Sequence, residues 1–288
     1  MRLSYLYNQA IRLGRLRDPR GNHRWQYADS AVLFGRPGVE VKKALVGIDI
    51  QVGELLLADR LRKADGLDLV ISHHPEGRAL AHFYEVMNLQ TDILKRVGID
   101  SKVAKQLVEE RYLEVQRKTL PVNHMRTVDA ARLLNLPFMC LHTPADNHAY
   151  FFLNSLFKKN KPDRLKDIIE ILHTLPEYKE ARKNNAGPRI ALGNSRSYVG
   201  KIFLEMTGGT EGPRDSFNKL ANKGIRTLVS MHLSEEHFRK VKESNLNVVI
   251  AGHISSDSLG LNLLLDGIEK KERLEIVACS GFYRFRHI

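Results

Sequence analysis

The feature that most restricts this chain is a rhythm of short apolar runs, each roughly four to eight residues long, alternating with segments of helical periodicity. "ALVGIDI" (44–50) is followed by the amphipathic "VGELLLADRLRKA" and then by "DLVIS". Strand, helix, strand with short connections reads as a parallel βαβ unit. From Leu80 to Asn135 the pattern is mostly helical, broken at Gly98 and at "TLPVN", before "PFMCLH" (137–142) gives another buried strand. Lysine-rich helical stretches follow, and residues 158–185 read as exposed. From Pro188 the alternation resumes: "RIALG", a Gly-rich turn "TGGTEG" (207–212), a helix across 214–223, "RTLVS", a helix from Ser234, "NVVIAG", a helix across 255–269 and a closing "RLEIVACS".

The expected fold class is therefore α/β: two related α/β halves around a helical middle segment. Four stretches are expected: a basic N-terminal extension at 1–40, a first half at 41–157, an exposed helical connector at 158–187 and a second half at 188–288. The relation between the halves rests on an echo. "LDLVISHHPE" and "IRTLVSMHLSEE" both run apolar strand, Ser, His, acid.

Charge enters through partners. The net charge is +12, and residues 1–43 carry nine Lys/Arg against three Asp/Glu, half of that excess. Such a balance favours anionic small molecules, nucleotides among them. No zinc-knuckle, helix-turn-helix or aromatic-stacking signature accompanies it, so nucleic acid is not the expected partner. No apolar run reaches the roughly 18 residues that span a bilayer. The first residues lack the apolar segment and cleavage site of a secretory signal; they are Arg-rich, as a transit peptide is, but poor in Ser. Cys140 and Cys279 lie far apart in apolar stretches and read as buried thiols in a reducing, cytoplasmic setting.

The strand ends carry the chemistry. In open α/β sheets, ligands bind beyond the carboxyl ends of strands, and three strands here end in metal-capable side chains. The first ends in His73-His74, the second leads into "CLHTPADNHA" with His142, Asp146 and His148, and the third into "IAGHISSDSLG" with His253 and Asp257. Adjacent residues on an extended chain point in opposite directions, so His73 and His74 suit two ions, one each. His253 and Asp257 are four apart and share a helix face. Asp146 has two oxygens and could bridge. Each residue also has a plainer reading: a strand-end histidine can be a hydrogen-bonded core residue, and Asp146 or Asp257 a helix cap.

"DLVISHHPEG", "LHTPADN" and "VVIAGHISSD", in this order, resemble the NIF-three (NGG-one-interacting factor three-like) family, also called GTP cyclohydrolase I type 2-like. The resemblance covers about 42–157 and 188–283. It implies an α/β fold with two related halves, a dinuclear metal centre in a cleft and a homo-oligomer, often a toroidal hexamer. The ligands it implies are His73, His74, Asp146 and His253, with Asp257 where the family pattern has Glu; Asp is one methylene shorter, and that position is the most open. Two divalent transition-metal ions per chain, drawn from Zn, Mn, Fe, Co or Ni, suit such a ligand set.

These readings converge on a metal-dependent hydrolase of an anionic small molecule, with Glu76 and His148 as candidate catalytic proton-transfer groups. GTP ring opening is the reaction the family label suggests, although no residue reads as a guanine selector. "TGGTEG" could offer backbone amides to a phosphate or be a plain turn. The competing readings are a non-catalytic metal carrier, insertion factor or regulator using the same ligands, and an interaction module using the basic N-terminus.

Overall fold

Buried parallel strands need apolar side chains on both faces, and the runs around Leu45 and Val70 meet that requirement. In the computed structural model, which describes residues 1–21 and 26–287, they form strands with every residue buried. In chain order the strands are β1 (Ala31–Phe34), β2 (Lys43–Gly47), β3 (Leu69–Ser72), β4 (Phe138–Cys140), β5 (Arg189–Leu192), β6 (Lys201–Glu205), β7 (Ile225–Ser230), β8 (Asn247–Ile250) and β9 (Glu275–Cys279). They make two sheets, ordered β1-β4-β3-β2-β9 and β5-β8-β7-β6.

The two orders repeat one topology. In each half the first strand lies antiparallel at an edge against the fourth, and the second, third and fourth run parallel. β3 and β7 occupy equivalent places, so the "LVIS" and "TLVS" echo reflects equivalent positions in the two halves. β1 and β6 were not legible as strands. Both are edge strands, and "KIFLE" begins and ends on a charge, which hides the apolar run.

Three stretches sit differently from the sequence reading. The closing strand β9 joins β2 in the first sheet, not the second. Residues 1–40 do not form a separate extension: the helix Leu3–Leu16 buries Leu3, Leu6 and Ala10 against Val46, Ile71 and Leu141 of the first half, and β1 is part of its sheet. Residues 158–187 do not form an exposed connector. The helix Leu165–Leu172 and its successor Pro176–Lys183 bury Leu165, Ile168, Leu172 and Tyr178 against Val229 and Val249 of the second sheet. Their lysines mark only the outer face of an amphipathic pair. The helical middle covers the other face of that sheet, with Leu107 and Val108 in one core with Phe217 and Leu228.

Two long helices join the halves. Thr143–Asn160 follows β4, and His253–Glu269 follows β8. They pack so closely at Gly260 that a Cβ there would lie 2.5 Å from the Ala145 carbonyl oxygen. That approach sets the first turns of both helices side by side, at the carboxyl ends of β3, β4 and β8. No helix among the described residues is long and apolar enough to cross a membrane.

Candidate metal centre

Six side chains meet where these strand ends and helix starts converge. His73 and His74 leave β3, His142 and Asp146 surround the start of the helix Thr143–Asn160, and His253 and Asp257 occupy the first turns of the helix His253–Glu269. His73, Asp146 and Asp257 are almost fully buried, His74 is partly so, and the His253 side chain is 39% exposed. The cluster is therefore sealed on one side and open at His253.

The imidazoles are oriented from behind. The His73 Nδ1 lies 3.2 Å from the Leu141 carbonyl oxygen, the His74 Nδ1 2.7 Å from Asp49 Oδ1, and the His142 Nδ1 2.7 Å from Asp29 Oδ2. A carbonyl or carboxylate partner fixes Nδ1 as the protonated nitrogen and leaves the Nε2 lone pair facing the centre, the arrangement that outer partners impose on metal-binding histidines. Asp29 is itself anchored, accepting from the Thr143 N–H at 3.2 Å and the Thr143 hydroxyl at 2.6 Å.

The Nε2 atoms turn toward two carboxylates. Asp257 Oδ1 is 3.5 Å from His73 Nε2, and its Oδ2 is 3.4 Å from both His74 Nε2 and His253 Nε2. Asp146 reaches His73 Nε2 at 3.4 Å and His142 Nε2 at 3.8 Å. Asp146 thus stands between two imidazoles, and Asp257 approaches three. The loss of a methylene relative to Glu does not keep it away, because Gly260 lets its helix sit close.

Burial disfavours charge on His73 and His74, yet the neighbouring carboxylates overcome it. The carboxylates carry His73 up to about 10, and Asp257 and Asp49 carry His74 up to about 9. Burial holds His253 down at about 4 against the pull of Asp257. The centre demands positive charge, and protons meet that demand when nothing else does. Three buried atoms here, His73 Nε2, Asp146 Oδ1 and Asp257 Oδ2, make no hydrogen bond of ordinary geometry, although imidazole and carboxylate face one another at about 3.4 Å. Unpaired buried polar atoms are costly, and their convergence calls for a cation. Ligand atoms fall within 4.8 Å of one another in three groups: His73, His74 and His142; His74, His253 and Asp257; His73, Asp146 and Asp257. The donor set fits divalent ions that accept nitrogen and oxygen together.

The two catalytic candidates part ways. Glu76 sits at the start of the short helix Gly77–Ala81, half-buried, and burial raises its pKa while Thr127 opposes the shift. It lies near enough to His74 and Asp49 to feel both charges. His148 does not belong to the centre. Two helical steps turn it about 200° from Asp146, into a cavity with Leu13, Arg17 and Phe151. Burial and Arg17 push it down to about 4.

Sequence reading left out Asp29, Asp49 and His232 and did not carry His142 into the ligand set. Asp49 lies in the "GIDI" run and His142 opens the "HTPAD" motif, so both had a signal; Asp29 had none. His232 follows β7, its ring centroid 4.7 Å from that of His253 and its Nδ1 3.6 Å from Glu211 Oε1. The nearby Glu211 carboxylate raises its pKa, against its burial. The Gly-rich turn closes over the cleft as a structural turn. Gln90 donates to the carbonyls of Gly208 and Thr210, and Glu205 accepts the Gly212 N–H.

Among solved structures, the chain resembles a NIF3 superfamily protein from Sphaerobacter thermophilus, with a TM-score of 0.82, 29% identity and 98% of each chain covered. It also resembles reduced HcgD from Methanocaldococcus jannaschii (TM-score 0.54, 14% identity, 86% of this chain and 87% of that one). A third likeness is to TTHA1606 from Thermus thermophilus (TM-score 0.54, 14% identity, 96% and 97% covered). The two at 14% identity share the fold. No protein-family model and no curated protein matches the chain.

Proposed function

The chain belongs to the NIF3 superfamily, and from that premise we propose that it is a dinuclear-metal hydrolase acting on an anionic small molecule. The observation that carries this reading is the convergence, in one cleft, of buried atoms from His73, Asp146 and Asp257 that make no ordinary hydrogen bond. One ion would be held by His73, Asp146 and Asp257, with His142 beside it. The other would be held by His74, His253 and Asp257. Two divalent ions so placed supply Lewis acidity and bring the pKa of water toward neutrality.

The chain's own residues supply the rest. Asp49, Asp29 and the Leu141 carbonyl keep each Nδ1 protonated and each Nε2 aimed inward. Glu76, with its raised pKa, is placed to accept a proton on the His74 side. His232, its pKa raised by Glu211, is placed to donate one on the His253 side. The cleft above the carboxylates encloses only about 30 Å³, room for ions and solvent but not for a nucleotide. The substrate therefore meets the centre at its open rim. There His253 adjoins a cavity of about 320 Å³ lined by Ile254, Tyr283 and Phe285 and by Glu177 and Glu180, whose carboxylates pair with His287 and Lys183, the size of a small-molecule site.

The test is turnover of phosphorylated and cyclic-amidine substrates, GTP among them, by metal-loaded protein. Hydrolysis abolished by His73→Ala supports the reading. Metal transfer to an apo acceptor with no turnover of any substrate would make the protein a carrier instead.

A further inference from the structure

The helix Thr143–Asn160 gives its first turn to the metal centre and then runs away from it. Tyr150, Asn154 and Lys158 follow Asp146 at four-residue steps, along one side of the helix. They line a separate cavity of about 520 Å³, closed on its other sides by the end of the helix Asn88–Arg96 and by the edge strand β6. Arg96, Lys158, Lys161 and Lys201 surround it, and no carboxylate among the described residues lines it. The acids nearest in sequence are committed elsewhere: Asp92 pairs with Lys95, and Asp163 with Arg164.

Part of this charge has an ordinary cause. Two helices end at the cavity, and cations favour helix C-termini. Two such ends carry about one negative charge in sum, against four full positive charges. The surplus remains. Lys161 adds an independent sign. It sits in the left-handed region at φ 45°, as the cap of its helix. That position favours Gly or Asn, and three of the other four non-glycine residues with positive φ, Asn135, Asn185 and Asn245, are asparagines. A lysine held there at a conformational cost points to a use for its ammonium group.

We propose that this cavity is a second ligand site, distinct from the metal centre, that binds a nucleoside polyphosphate. The four cations face the phosphates, and Tyr150 and Asn154 offer a ring face and an amide to the base. The volume lies within the roughly 300–1,000 Å³ of small-molecule sites. The inference does not depend on hydrolysis, and needs no metal.

Isothermal titration with ATP, and with inorganic pyrophosphate as the bare anion, tests it. Wild type and Asp257→Asn are expected to bind ATP alike, with pyrophosphate competing and with affinity falling as salt rises. Lys161→Asn, which suits the left-handed backbone and so preserves the fold, should weaken binding about two- to fivefold, the worth of one ion pair at an exposed position; Lys161→Arg should restore it. No ATP binding by wild type would overturn the proposal. So would binding unchanged in Lys161→Asn combined with Lys201→Gln, or binding lost in Asp257→Asn alone, which would place the nucleotide at the metal centre.

Discussion

The hydroxyls of Ser72 and Ser230 make the same hydrogen bond in the two halves: each donates, at 2.8 Å, to the carbonyl two residues ahead, that of His74 in one and His232 in the other. Each serine ends the third strand of its half, and each bond turns the chain so that the following histidine faces the cleft. The halves differ one residue earlier, at His73 and Met231. The first half thus offers two imidazoles at this turn and the second only one. The fourth strands are alike in this respect: His142 and Asp146 follow β4 in the first half, and His253 and Asp257 follow β8 in the second.

Ser72 is fully buried, and its hydroxyl also lies 3.3 Å from the Ile48 carbonyl. Ser72→Ala is expected to destabilise the protein by about 1–3 kcal/mol, the cost of leaving a buried acceptor unpaired. Urea denaturation measures it. Metal affinity should fall as well, because His73 and His74 lose their fixed turn.

Metal-free protein should lose stability as pH rises. His73 and His74 are raised above the ordinary value of 6.5, to about 10 and about 9. The stability they contribute is complete below 6.5 and disappears as pH climbs through 9 to 10. Thermal denaturation with chelator present, compared at pH 6.5 and pH 9.5, is expected to show a lower Tm at the higher pH. Loading the metal should remove the difference. It should also release protons, so metal affinity is expected to rise with pH between these limits. Titration in buffers of different ionisation enthalpy counts those protons.

Gly260→Ala would place a Cβ 2.5 Å from the Ala145 carbonyl. Overpacking of this kind costs about 1–3 kcal/mol, and here it would push apart the helices that carry Asp146 and Asp257. Loss of stability in urea should be accompanied by weaker metal binding. A loss of stability with metal affinity unchanged would show that the helix contact does not set the site.

Burial pushes the Cys140 thiol up to about 12 and the Cys279 thiol up to about 11. Iodoacetamide at pH 7.5 should label the folded protein slowly and the unfolded chain at both positions, since only the thiolate reacts. Mass spectrometry reads the result.

The strands that pair on both sides and are buried throughout could be read from the sequence, because β2, β3 and β4 need continuous apolar runs. Of the four edge strands, β5 and β9 were legible as strands and β1 and β6 were not. β1 and β6 are half-exposed, and β9 returns to the first sheet across the whole chain, a pairing that no local pattern encodes. The clustering of His73, His74, Asp146, His253 and Asp257 was legible because each follows the carboxyl end of a parallel strand, β3 or β4 in the first sheet and β8 in the second. Who orients them was not: Asp29 lies more than a hundred residues from His142 in the chain. His148 failed for a local reason, since two residues on a helix point in nearly opposite directions.

The most direct measurement is elemental analysis of purified wild-type protein beside Asp257→Asn, the isosteric change at the carboxylate that touches three imidazoles. About two transition-metal ions per chain in the wild type, falling below about one in the variant, is the expected result. A wild type that takes up no metal even after reconstitution, or a variant that keeps both ions, would contradict the dinuclear centre with Asp257 at its middle.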